Sequence, residues 1–160
     1  AEIEKHLLAN KLADATTARL RARSAAGSIG RALAGDVERF TDQRKAMIAV
    51  LKGLVPSDVR SQLLLSAEQL NEAQYKDEFE QRLDVLETLI RDVWMLAVGA
   101  DTEQVVNEDL LRELTKIASD LDPQRAQIWI QQIEDMREQL VVNINRKVST
   151  DALFLSMADS

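Results

Sequence analysis

Residues 79–97 read Phe-Glu-Gln-Arg-Leu-Asp-Val-Leu-Glu-Thr-Leu-Ile-Arg-Asp-Val-Trp-Met-Leu-Ala, and no other stretch states its conformation so plainly. Phe79, Leu83, Leu86, Ile90, Val93 and Ala97 follow one another at steps of four, three, four, three and four. Those steps track the 3.6-residue helical turn, so the stretch predicts one long helix with a continuous apolar stripe. Gly99 then supplies a stop, because glycine accepts the left-handed conformation in which helices commonly end.

The same period continues on both sides. Downstream, Asn107 or Asp109 is expected to open a helix carrying Leu110, Leu114, Ile117 and Leu121. Asp122-Pro123 reads as an N-cap followed by proline at the first helical position, leading a helix with Trp129, Ile133, Met136, Leu140 and Ile144. Ser149-Thr150-Asp151 is expected to cap a short last helix holding Ala152, Leu153, Leu155 and Met157. Upstream, Pro56-Ser57-Asp58 breaks the pattern, and Ser57 or Asp58 caps a helix with Val59, Leu63, Ala67 and Leu70. Before it, Gly35-Asp36 offers a stop and a fresh cap for a helix through Val37, Phe40, Met47, Ile48, Leu51 and Leu54. Ile3, Leu7 and Leu8 mark a short first helix. Asp14 caps a second one to Ser24, with Ala15, Ala18 and Leu20 available for burial and Leu12 bridging the two.

No strand pattern competes. The chain has 160 residues with only two prolines and five glycines, and the expected fold class is all-α. Short helices over residues 1–35 precede a bundle of five or six helices over residues 36–160, with the domain boundary near Gly35. Turns every 15 to 25 residues favour a globular bundle over a coiled-coil rod. A compact chain of this size buries about 70% of its extended surface, enough for a core without staples. Ala1 in place of methionine, with the helical pattern under way by Ile3, points to a piece of a longer protein.

Composition narrows the chemistry. The absence of cysteine excludes disulfides, thiolate metal sites and a cysteine nucleophile, and it favours a reducing compartment such as the cytoplasm. His6 is the single histidine, which cannot form the imidazole pair most zinc or iron sites use. A Gly-x4-Gly-Lys-Ser/Thr phosphate loop does not occur. Glu78, Glu80, Asp84 and Glu87 fall between the apolar positions of the long helix, where an outward face and pairing such as Glu87 with Arg91 explain them. Net charge is −7, yet residues 1–35 hold six Lys/Arg against three Asp/Glu and the remainder fourteen against twenty-four. The acidic body repels phosphate backbones, whereas the basic beginning is either a solvated helix face or a surface for nucleotide or DNA.

Two features invite a functional reading beside a structural one. Trp94 and Trp129 each lie on a long helix and are either core or anchors for another chain. Val93 to Val98 is apolar on every side, more than a one-sided bundle helix requires. Trp94, Met95, Val98 and Trp129 are therefore the candidate subunit interface. The second feature is Ser24-Ala25-Ala26-Gly27-Ser28-Ile29-Gly30-Arg31-Ala32-Leu33, following Arg19, Arg21 and Arg23. Gly27 ends one helix and Ser28 caps a third short one, making either a structural corner or a lid that leans over a phosphate.

These residues carry a family resemblance. Ala18 to Leu33 resembles the lid signature A-x-L-A-x-x-S-x-G-S-x-G-R-A-L of the bacterial DNA polymerase III clamp-loader family, most nearly its delta-prime type. Leu89-Ile90-Arg91-Asp92-Val93-Trp94-Met95-Leu96 is similar to the family's Leu-Leu-Arg-Asp helix. Val142-Asn143-Ile144-Asn145 followed by Ala152-Leu153-Phe154-Leu155 is similar to its ending. The resemblance covers nearly the whole chain and implies that residues 1–35 end an AAA+ lid while 36–160 form the helical collar that joins five subunits into a ring. It implies no catalysis and no cofactor in these residues. The implied partners are the gamma/tau and delta clamp-loader subunits, with the sliding clamp and primed DNA reached through the assembly, and no membrane. Motor subunits of the family carry an arginine directly after Gly-Ser-x. Here that position is Gly30, and the arginine follows at Arg31. One residue along a helix rotates a side chain by about 100°, so Gly27, Ser28, Gly30 and Arg31 take a lid-positioning role only. The alternatives are a gamma/tau-type subunit, which Gly30 disfavours, and an unrelated helical adaptor. An enzyme would need a deep polar pocket with paired ionisable groups.

Overall fold

The computed structural model describes residues 2–10, 14–24, 37–55, 60–71, 78–141 and 145–160. Among these it is all α-helical, without a β-strand. The helices are α1 (Glu2–Ala9), α2 (Ala15–Ser24), α3 (Val37–Leu54), α4 (Arg60–Leu70), α5 (Phe79–Ala97), α6 (Leu111–Ser119), α7 (Pro123–Val141) and α8 (Arg146–Asp159). Two 3-10 turns, Thr102–Gln104 and Glu108–Leu110, join α5 to α6. By compactness the chain divides into Ala1–Gln43 and Arg44–Ser160. The boundary expected near Gly35, the Leu12 bridge, the Gly35-Asp36 stop and the Pro56-Ser57-Asp58 break lie outside the described residues.

In the first unit α1 packs on α2 through Leu7 and Ala18, both fully buried, with Ile3 against them. Asp14 caps α2 as its sequence position predicts, accepting from the Thr17 backbone N–H and hydroxyl at 2.9 Å each. Ala15, by contrast, is exposed.

The second unit is built around α5, which packs against both α6 and α7, while α8 packs on α4 and α7. Phe79, Leu83, Leu86, Ile90 and Val93 of the predicted stripe are buried, and Leu89 joins them, so the core face is wider than the stripe alone. Gly99 has φ +74°, and the helix ends just before it. Asp122 caps α7 by accepting from the Gln124 N–H at 2.9 Å, leaving Pro123 at the first helical position, where its missing N–H costs nothing.

Two expected starts move. Asn145, not Ser149-Thr150-Asp151, caps α8, its side chain accepting from the Lys147 and Val148 N–H groups. Ser149 and Thr150 are buried inside the helix, where their hydroxyls donate to the Asn145 and Arg146 carbonyls one turn back. Both patterns use the same residue types, but Ser149 and Thr150 are buried within the helix, leaving the start to Asn145. Likewise neither Asn107 nor Asp109 opens an α-helix: the 3-10 turn intervenes, α6 begins at Leu111, and the Asn107 side chain is used elsewhere.

Gly53 was not singled out by the sequence. It is buried in the last turn of α3, and a Cβ there would stand 3.1 Å from Leu63 Cδ2. Glycine weakens a helix by about 1 kcal/mol relative to alanine, but here it lets the Leu63 side chain of α4 lie close against α3.

Candidate interaction surface

The last turn of α5 and the residue that caps it hold three of the four interface candidates. Trp94 and Met95 are half-buried, and Val98, just past the helix, is 52% exposed. Trp94 packs its ring against the core, and its indole Nε1 is shielded from water without a hydrogen-bond partner. Such an orphaned donor is unusual in a folded chain.

Trp129 is placed differently. It is fully buried, and its Nε1–H donates to the Met157 carbonyl at 2.7 Å, with Ser160 Oγ at 3.1 Å. That carbonyl belongs to the last turn of α8, which lacks an intrahelical donor. The Arg125 guanidinium lies 5.1 Å from the Trp129 ring centroid and donates to the Leu54 carbonyl at the end of α3, 3.3 Å away. Trp129 is therefore a core residue that ties helix ends together, and no surface of the second unit presents it.

Behind the Trp94 turn sits a polar lock that sequence reading did not assign. Asp92 is 1% exposed. Its Oδ1 accepts from the Val106 N–H at 2.8 Å, and its Oδ2 accepts from the Asn107 N–H at 2.8 Å and the Asn107 Nδ2 at 2.7 Å. With Val105 fully buried beside it, the segment between the two 3-10 turns is pinned to α5. The signal was present as the aspartate of Leu89-Ile90-Arg91-Asp92, but the pattern does not reveal what the carboxylate holds.

Of the acidic residues at α5, Glu80 and Asp84 are exposed on the outward face as expected, whereas Glu78 and Glu87 differ. Glu78, at its N-terminus, is buried and paired with Arg82 at 3.4 Å rather than facing outward. Glu87 accepts from Arg137 of α7 at 2.7 Å, not from Arg91. Arg137 also meets Asp84 at 2.8 Å, Glu80 at 3.7 Å and Glu134 of its own helix. Partial burial lowers its pKa, but hydrogen bonds to Glu87 and Glu134 and the charges of Glu87 and Asp84 outweigh this, raising it above the usual arginine value. Carboxylates spaced for an outward face thus join α5 to α7.

His6 is exposed on α1, with its carbonyl accepting from Asn10 Nδ2 at 2.8 Å. Among the described residues, no group of three or more His, Asp or Glu is placed to hold a metal, and no helix is long and apolar enough to cross a membrane. An open depression lined by residues 108–113 has two of its acids engaged, Asp109 by Arg44 at 2.7 Å and Glu113 by Lys52 at 2.5 Å. Gly27, Ser28, Gly30 and Arg31, with the short helix expected after Ser28, lie outside the described residues, as does Val142-Asn143-Ile144.

Neither the curated proteins nor the solved structures yielded a match to the chain. A protein-family model described as DNA polymerase III, delta subunit, C terminal, matches residues 38–156. The match runs from the second residue of α3 into α8, taking in α4 to α7 between them. The chain therefore belongs to the clamp-loader family formed by the C-terminal region of the DNA polymerase III delta subunit.

Proposed function

We propose that the chain is the non-catalytic carboxy-terminal part of a delta-prime-type clamp-loader subunit, acting in the cytoplasm to hold the loader ring together while a sliding clamp is placed on primed DNA. The observation that carries this reading is the family match over the helical body, residues 38–156. The delta-prime type rests on the lid signature from Ala18 to Leu33, with glycine at position 30. In this reading residues 1–35 end the lid, 36–160 form the collar, and Gly27, Ser28, Gly30 and Arg31 position the lid without contacting a γ-phosphate.

Trp94, Met95 and Val98 are the contact with a neighbouring gamma/tau or delta subunit. Exposed Val98 beside the half-buried Trp94 and Met95 supports this choice, since aromatic and methionine side chains at the edge of a core make effective anchors between chains. A ring contact of this kind is heterologous, so the isolated chain has no reason to pair with itself.

Reconstitution tests the reading. The intact protein that includes this chain is added to gamma/tau subunits with either delta or delta-prime omitted, and ring mass is measured by size exclusion with light scattering. Rings that complete only when delta-prime is the missing member support the proposal. Completion only when delta is missing reassigns the protein, and failure in both overturns the collar function.

A further inference from the structure

We draw no further inference here: the strongest candidate, the exposed Leu64–Leu65 pair on α4, is an unpartnered apolar face, and nothing in the structure shows what covers it.

Discussion

Asp92 and Asn107, fifteen residues apart, are joined twice through one oxygen: Asp92 Oδ2 accepts from both the backbone N–H and the side-chain amide of Asn107. With the Val106 N–H on the other oxygen, a buried carboxylate satisfies three donors that the 3-10 linker would otherwise leave unpaired. Hydrogen bonds to charged groups contribute about 1.5–3 kcal/mol, and an orphaned buried donor costs about 1–3 kcal/mol. Asp92→Ala should therefore lower the unfolding free energy by about 3 kcal/mol or more in urea titrations. Amide exchange at Val106 and Asn107 should accelerate more than exchange at Leu86 or Ile90. Equal acceleration everywhere would mean that the lock has no local role.

Trp129 separates packing from hydrogen bonding. Trp129→Ala should cost about 3–5 kcal/mol through the cavity it leaves. Trp129→Phe keeps most of the volume but removes the donor to the Met157 carbonyl. Because Ser160 Oγ also donates to that carbonyl at 3.0 Å, the expected loss is only about 1–2 kcal/mol. Thermal unfolding of both variants measures the difference, and near-equal losses would refute this division.

Arg137 bridges two helices with its side chain about a fifth exposed, so solvent screening limits its worth. Arg137→Met should cost about 1–2 kcal/mol at low ionic strength and less in 1 M salt. The arginine's raised pKa sets the sign of the pH dependence: its stabilisation is complete below the ordinary arginine value and is lost only as pH rises through the higher folded-state value. The stability gap between wild type and variant should stay flat from pH 7 to about 10. A gap that closes in that range points to a different titrating group.

Gly99 tests the helix stop. Nothing lies within 4 Å of a Cβ built there, so the φ of +74° alone penalises a side chain. Gly99→Ala should destabilise by about 1 kcal/mol, and Gly99→Asn by less, because asparagine tolerates the left-handed region. Denaturant midpoints would rank the two, and the reverse order would contradict the conformational explanation.

Val98→Asp examines the proposed interface with neighbouring subunits. The side chain is 52% exposed, and its replacement should leave the chain's own stability within about 0.5 kcal/mol. Affinity for the partner subunits should fall roughly tenfold or more, as for the loss of an apolar contact at an interface. Light scattering of the reconstituted ring reads the effect, and unchanged assembly removes Val98 from the interface.

How far the sequence alone reached depended on the range of the interaction. The Phe79–Ala97 stripe, the Asp14 and Asp122 caps and the Gly99 stop were legible because each depends on residues within one or two turns, where spacing and side-chain type determine the geometry. The family followed from local motifs in the right order. Tertiary packing decided what those residues meet. It buried Ser149 and Thr150 inside α8 and left the cap to Asn145, and it took Asn107 from a helix cap to Asp92. It drew Glu87 to Arg137 instead of Arg91, and it closed the core over Trp129 while leaving Val98 in water. Each of these outcomes pairs groups on different segments or balances burial against a local hydrogen bond, and a linear pattern carries no record of which distant partner will arrive.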